Sequence, residues 1–159
     1  MVGDSRLRVL IAGGGIAAVE ALLALRSVAG HLVSVTVLAP EPELVYRPVT
    51  VAEAFGRAEA RSYQIAHIVA DQRAELVRDS LEQVDSDRHT VVSGSGARIP
   101  YDALVVAIGA RTTSALPGAL MFGGRTDVPQ LRALLGELAE GKCRAVAFVL
   151  ARELSLIHI

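Results

Sequence analysis

The chain has 159 residues, with 16 basic and 17 acidic side chains and a formal net charge of −1. That length suits one domain, and a share of 52% hydrophobic against 21% charged residues excludes a disordered chain. No basic run or basic–aromatic stripe occurs, so nucleic acid is not an expected partner; a single cysteine, Cys143, excludes an internal disulfide framework and points to the reducing cytoplasm.

Aromatics are only 4% of the chain, so the apolar share is aliphatic, as in buried parallel strands covered by helices. Arg6 and Arg8 ahead of an apolar stretch mimic a signal peptide. Gly13, Gly14, Gly15 and Glu20 interrupt that stretch, and no small-residue cleavage site follows. No run approaches the roughly 18 apolar residues that a membrane span needs.

In chain order, Arg8 to Ala12 is a short apolar run ending in three glycines, which predicts a strand entering a tight turn. Ile16 to Val28 carries Val19, Leu22, Leu23 and Leu25 at helical spacing, and Gly30 ends the helix. Val33 to Leu38 is β-branched and predicts a second strand. Strand, glycine turn, helix and strand make a βαβ unit of a parallel sheet. Pro40 and Pro42 break the second strand into a loop, and Val49 to Phe55 suits a helical turn. Ser62 to Arg73 predicts a helix with Ile65, Ile68 and Val69 on one face, and Glu75 to Leu81 a third parallel strand.

From Gln83 to Ile99 the pattern changes to short strands and tight turns. Gln83 to Asp85, His89 to Val92 and Arg98 to Ile99 read as an antiparallel meander, with Gly94 and Gly96 in one turn. Ala103 to Ile108 is the most apolar strand, and Gly109 stops it. Asp127 suits the N-cap of a last helix, with Gln130 at the reciprocal capping position and Leu131, Leu134, Leu135 and Leu138 as its buried stripe. Gly141 ends that helix, and Arg144 to Leu150 predicts one more strand. The final six residues, 154–159, match the translation of a sequencing-library adapter, CTG TCT CTT ATA CAC ATC, and are set aside from the fold.

The segment Val9-Leu-Ile-Ala-Gly-Gly-Gly-Ile-Ala-Ala18 fits G-x-G-x-x-G/A through Gly13, Gly15 and Ala18. Gly13 permits the turn, Gly15 lets a pyrophosphate approach the backbone, and Ala18 keeps the helix close to the sheet. The free N–H groups of Gly15, Ile16 and Ala17 then face the phosphates, and the helix dipole favours their charge. The pattern alone is weak; its place between a strand and an amphipathic helix points to a dinucleotide site, with a glycine turn that serves packing only, or a site for another adenosine-containing cofactor, as the alternatives. An acidic residue is expected at the end of the second strand to hold ribose hydroxyls. That position is Ala39, and Glu41 lies two residues later, either as the ribose ligand or as a solvated carboxylate beside Glu43. No arginine stands there to receive a 2′-phosphate, which speaks against NADP.

The second signal is Ile99-Pro-Tyr101-Asp102-Ala-Leu-Val-Val-Ala107-Ile108-Gly109-Ala110. It resembles a segment of the FAD and pyridine-nucleotide-dependent oxidoreductases, the group of disulfide reductases, type II NADH dehydrogenases and sulfide:quinone reductases. The resemblance covers about residues 6–150 and follows the family order of βαβ unit, meander and strand. Ile108 departs from the pattern, which has Thr there. The resemblance implies an α/β fold: a Rossmann-like FAD-binding domain with a parallel sheet and a small antiparallel β-meander, incomplete at its C-terminus. It implies backbone contacts to the flavin nucleotide from Ala107, Gly109 and Ala110. It also places Leu81 where a strand residue pairs with adenine. Arg47, in Val45-Tyr-Arg-Pro48, matches a loop near the flavin in the sulfide:quinone reductase-like branch, with a plain surface arginine as the alternative.

No C-x-x-C dithiol follows the first helix, and Cys143 reads as a structural thiol. The four histidines show no metal-ligand spacing, and no catalytic side chain is assigned. The resemblance implies FAD as cofactor and NAD(P)H in a full-length protein, with a small-molecule electron donor and acceptor as partners. In these terms residues 1–143 are the N-terminal part of an FAD domain, 144–153 begin a truncated NAD(P)-type domain, and the isolated chain is expected to bind FAD weakly or not at all and to lack turnover. A cytoplasmic setting is expected, with membrane-peripheral attachment supplied outside this segment. An NAD-binding dehydrogenase domain and a non-catalytic nucleotide-binding module stay open as alternatives.

Overall fold

The computed structural model describes residues 6–110 and 116–149. These form two compact units: residues 6–46 with 61–110, and residues 47–60 with 116–149.

The first unit is built on a four-stranded parallel sheet. Its strands are β1 (Leu7–Ala12), β2 (Val33–Leu38), β5 (Glu75–Val77) and β9 (Ala103–Val106), in the order β5-β2-β1-β9. β1 lies in the middle, with Leu7 opposite Val33 on one side and Val9 opposite Ala103 on the other. Helix α1 (Ile16–Ala29) crosses from β1 to β2, and α3 (Ile65–Asp71) crosses from the β2 side to β5.

Alternation along the strands sorts the core into two layers, because neighbouring residues point to opposite faces. Val9, Ile11, Val33, Val35 and Val37 face the helices and bury Ala18 and Leu22 of α1 with Ile65 and Val69 of α3. Leu10 and Leu38 point the other way and pack against Val91 and Tyr101. The cover on that second face is an antiparallel meander, β6 (Leu81–Asp85), β7 (Thr90–Ser93) and β8 (Arg98–Pro100). The sheet is therefore covered on both faces, by helices on one and by strands on the other, which explains its unbroken aliphatic strands.

Several boundaries differ from the sequence expectation. Ser62 to Arg73 is not one helix. Ser62–Gln64 form a strand, β4, antiparallel to β3 (Glu43–Val45), and α3 starts only at Ile65. The cross-strand pairing, reinforced by Gln64 Nε2 donating to Glu43 Oε1 at 2.5 Å, takes these residues out of the helix. The expected strand Glu75 to Leu81 is two strands. After Val77 the chain turns a corner at Asp79, and Leu81 opens the meander opposite Ser93. Asp79 holds that corner by accepting from the N–H of Ser80 at 2.8 Å and the N–H of Ser95 at 3.0 Å. The strand expected from Ala103 to Ile108 ends at Val106, where β1 ends; the last bridge is Ala107 N–H to the Ala12 carbonyl at 2.7 Å.

The second unit contains a 3-10 turn (Arg47–Val49), α2 (Thr50–Ala54), a second 3-10 turn (Arg125–Asp127) and α4 (Val128–Ala139). Glu53 of α2 pairs with Arg125 at 3.4 Å, and Arg132 of α4 donates to the Glu53 carbonyl at 2.8 Å. The expected leucine stripe of α4 is present, half-buried at Leu131, Leu134, Leu135 and Leu138. The capping box is not. Asp127 precedes α4, but its carboxylate turns back to accept from the N–H groups of Gly123 and Gly124 at 2.7 and 3.2 Å, so no side chain caps the helix. Pro129, which has no N–H, sits in the first turn and lowers the need for a cap. The expected strand Arg144 to Leu150 is irregular and exposed over 144–149, with Phe148 93% exposed. Among the described residues no strand pairs with it, and an unpaired strand has no ladder to hold it. Leu150 and the adapter-like segment 154–159 lie outside the described residues.

Candidate functional site

The three glycines leave β1 at the carboxyl end of the parallel sheet, where ligands of open α/β folds bind. They differ in what their missing side chains permit. Gly13 is buried at φ +128°, a conformation that L side chains rarely adopt. A Cβ there would also run into the carbonyl of Ala107, which the β1–β9 pairing brings over the turn. Gly13 N–H is tied to the Leu38 carbonyl at 2.8 Å, so the turn is anchored to strands on both sides of β1. Gly14 is crowded: a Cβ would stand 2.7 Å from Ile65 Cδ1 and 3.0 Å from the Ala39 methyl. Gly15 is the opposite case. It is exposed in extended backbone at φ −81° and ψ −176°, and a Cβ would meet nothing within 4 Å.

Gly15 is the N-cap of the 14-residue helix α1, and no side chain caps it. The leading N–H groups of a helix have no partner inside it. Gly15, Ile16 and Ala17 are exposed, whereas Ala18 is 2% exposed and packs beneath the turn on the sheet. The first turn of α1 carries no acidic residue and no side chain caps it, so the helix dipole there is not neutralised from within the helix.

The loop after β2 returns to the same turn. Ala39 is fully buried, and its N–H donates to the Val77 carbonyl at 3.0 Å, so it offers space rather than a polar group. Glu41 is exposed, and its Oε2 lies 3.9 Å from where a Gly14 Cβ would stand. The two-residue delay noted in the sequence therefore still leaves a carboxylate beside the glycine turn. Ala107, Gly109 and Ala110 continue from β9 past that turn, and Gly109 takes φ +72° in open space. Leu81 is half-buried in the meander and packs on the Leu10–Leu38 layer. Arg47 is exposed at the start of the second unit's 3-10 turn, where its carbonyl accepts from Thr50 Oγ1 at 2.7 Å.

The Tyr101–Asp102 pair has a packing role. Tyr101 is 7% exposed, belongs to the second core layer and stacks on His89 with ring centroids 5.6 Å apart. Asp102 receives Arg8 N–H at 2.8 Å, Arg8 Nε at 3.0 Å and Arg8 Nη2 at 2.6 Å, while its own N–H donates to the Arg8 carbonyl at 2.8 Å. These bonds pin the start of β9 to β1 and fix the register that carries Ala107 over Gly13. The Arg8 side chain, then its N–H, lowers the Asp102 pKa to about 2. Asp79 is held well below the usual carboxylate range by the hydroxyls of Ser93 and Ser95 and the N–H groups of Ser95 and Ser80.

A broad cleft of about 650 Å³ lies at the other end of the sheet, among Arg26, Gly30, His31, Asp71, Gln72 and Arg73. Its central cation serves packing. Arg26 donates to the carbonyls of Gln72 at 2.6 Å, Arg73 at 2.9 Å, and Gly30 and Val33 at 3.2 Å each, capping the carboxyl ends of α1 and α3. Two helix carboxyl ends do not favour an anion, so the size of this cleft does not make it the site. Among the described residues no group of His, Cys, Asp or Glu could hold a metal ion, and no helix is long and apolar enough to cross a membrane. Cys143 is half-buried and free, with its thiol on the Ala145 carbonyl at 3.3 Å. Sequence reasoning missed the contact of Gly14 with Ile65; the only signal was an extra glycine inside the fingerprint.

The family model described as pyridine nucleotide-disulphide oxidoreductase matches residues 7–146. A sulfide-quinone reductase of Aquifex aeolicus (strain VF5) is 29% identical over 103 residues, 64% of this chain and 24% of that protein. The crystal structure of the sulfide:quinone oxidoreductase from Aquifex aeolicus has the same fold, with a TM-score of 0.74 at 23% identity over 84% of this chain and 32% of that one. The ferredoxin reductase for the CYP199A2 system from Rhodopseudomonas palustris gives 0.65 at 25% identity over 82% of this chain and 34% of its own. The chain thus spans about a quarter of the curated relative's length.

Proposed function

From the premise that this chain belongs to the pyridine nucleotide-disulphide oxidoreductase family, we propose that it carries the adenosine–pyrophosphate half of an FAD site. The protein would be an oxidoreductase of the sulfide:quinone reductase and type II NADH dehydrogenase-like branch. It would pass electrons from NAD(P)H or sulfide to an acceptor such as a quinone. The observation that carries this reading is the exposed, uncapped start of α1 at Gly15, with the Glu41 carboxylate beside the same turn.

The residues fit the group. A pyrophosphate is doubly charged and bulky, and it needs donors, a favourable dipole and room. Gly15, Ile16 and Ala17 supply N–H groups, α1 supplies the dipole, and the missing Cβ of Gly15 supplies the room. Glu41 is an acceptor for ribose hydroxyls at the end of β2. The backbone of Ala107, Gly109 and Ala110 is proposed to lie along the flavin nucleotide and Leu81 to pair with adenine. Electron transfer itself belongs to the flavin; the protein's part is to bind and orient it.

The test is a visible spectrum of the protein expressed from the intact gene, before and after NADH or sulfide. Flavin bands bleached by either donor support the reading and identify the donor. A colourless protein that binds NADH would favour the dehydrogenase alternative and contradict this proposal.

A further inference from the structure

Resting on the FAD reading, we propose that Gly14, a position the fingerprint leaves open, is a positioning residue that sets Glu41 on the adenosine ribose. It does so by ceding its side-chain space to Ile65. A Cβ at Gly14 would stand 2.7 Å from Ile65 Cδ1, closer than real Cβ contacts allow, and 3.0 Å from the Ala39 methyl, tighter than nearly all of them. Neither neighbour yields freely. Ala39 is fully buried and bonded to Val77, and Ile65 is 1% exposed in the core. Of the two, Ile65 takes the shift, and because its tip is packed in the core the side chain cannot simply turn aside and the residue moves as a whole.

Ile65 is tied to the ribose loop. Its N–H donates to the Pro42 carbonyl at 3.0 Å, and Pro42 follows Glu41 directly. Moving Ile65 outward therefore moves Pro42 and carries Glu41 away from the turn. The chain of contacts runs from Gly14 through Ile65 and Pro42 to Glu41. It couples the phosphate-binding turn to the ribose-binding carboxylate without any contact between Gly14 and a ligand. Gly14 has an ordinary φ, so packing rather than backbone freedom is what requires glycine there.

The experiment is a binding cycle on the protein expressed from the intact gene, with the FAD dissociation constant read by flavin fluorescence. Gly14→Ala is expected to weaken FAD about tenfold, the scale of an overpacked core contact. Gly14→Ala with Ile65→Val, which removes Cδ1, is expected to return to within about threefold of the unsubstituted protein. In a Glu41→Gln background, Gly14→Ala is expected to change affinity by less than about twofold, because the group it acts through is already impaired. An equal loss in both backgrounds overturns the proposal, as does a failure of Ile65→Val to rescue. If Gly14→Ala alone does not fold, the double variant decides by the same threefold criterion. Unsubstituted protein that binds no FAD overturns the functional reading along with this one. Unsubstituted protein that binds FAD, with Gly14→Ala unchanged, overturns this one alone.

Discussion

Gly13 and Gly15 share a motif but carry opposite constraints. Gly13 needs a positive φ and a gap beneath the Ala107 carbonyl, so its requirement belongs to the fold. Gly13→Ala is expected to cost about 3 kcal/mol or more of unfolding free energy in urea, combining backbone strain with a steric clash. The fingerprint reveals that both positions are glycine, but only the register of β9 on β1 explains Gly13. That register comes from residues 94 apart in sequence, Arg8 and Asp102, and such pairing is invisible in a local pattern. Tyr101-Asp102 was legible as a signature, while its job, a stacked ring and a strand clamp, was not. The clamp has a pH signature. Asp102 titrates lower folded than unfolded, so its contribution is fully present above its ordinary value of 3.8 and is lost as pH falls toward about 2. Asp79 acts in the same direction. Urea unfolding at a series of pH values below about 5 is expected to show falling stability, with a shallower fall in Asp102→Asn. An unchanged slope in that variant would show that the Arg8 pair is silent.

At the scale of elements, the long apolar segments and the turn-marked strands of the meander were legible, and the strands β3 and β4 were not. β1, α1 and β2 follow directly from hydrophobic periodicity, and β2 has the expected bounds Val33–Leu38. β3 and β4 are three residues each, and their pairing joins Glu43 to Gln64 across the intervening residues 47–60, so neither carries a pattern of its own. The strand expected at Arg144 to Leu150 failed for the converse reason: an apolar run predicts a strand only where another strand can pair with it. Arg26 shows how helix ends are finished without glycine geometry, since Gly30 stays right-handed at φ −52° and the guanidinium caps instead. Arg26→Ala is expected to destabilise the first unit by about 2 kcal/mol, and Arg26→Lys not to restore it, because only the planar fork reaches four carbonyls. Chemical denaturation of the three proteins checks this. In the second unit, Asp127→Ala is expected to cost about 1 kcal/mol through the lost bonds to Gly123 and Gly124, read as local hydrogen exchange in the α4 region.

At the scale of the molecule, the parallel sheet is closed by packing at one end and left open at the other. Arg26 closes the amino-terminal end by neutralising two helix carboxyl ends. The carboxyl end is open, with an uncapped helix start, a glycine without neighbours and a nearby carboxylate. The family membership and the parallel fold agree with what the sequence implied, and the meander on the second face replaces the helices of a plain alternating βα domain.

The most direct test of the pyrophosphate site uses the one glycine of the turn that the fold itself does not need. Gly15 has extended backbone and nothing within 4 Å of a Cβ, so valine fits the protein and would obstruct only a bound pyrophosphate. The measurement is the flavin content of the protein from the intact gene, purified with Gly15 and with Gly15→Val, alongside the thermal melting of both. The expected result is about one flavin per chain with Gly15, a loss of more than about tenfold in FAD affinity with valine, and melting points of the apoproteins within a few degrees of each other. A Gly15→Val protein that keeps its flavin at unchanged affinity would contradict the assignment of the pyrophosphate to this turn.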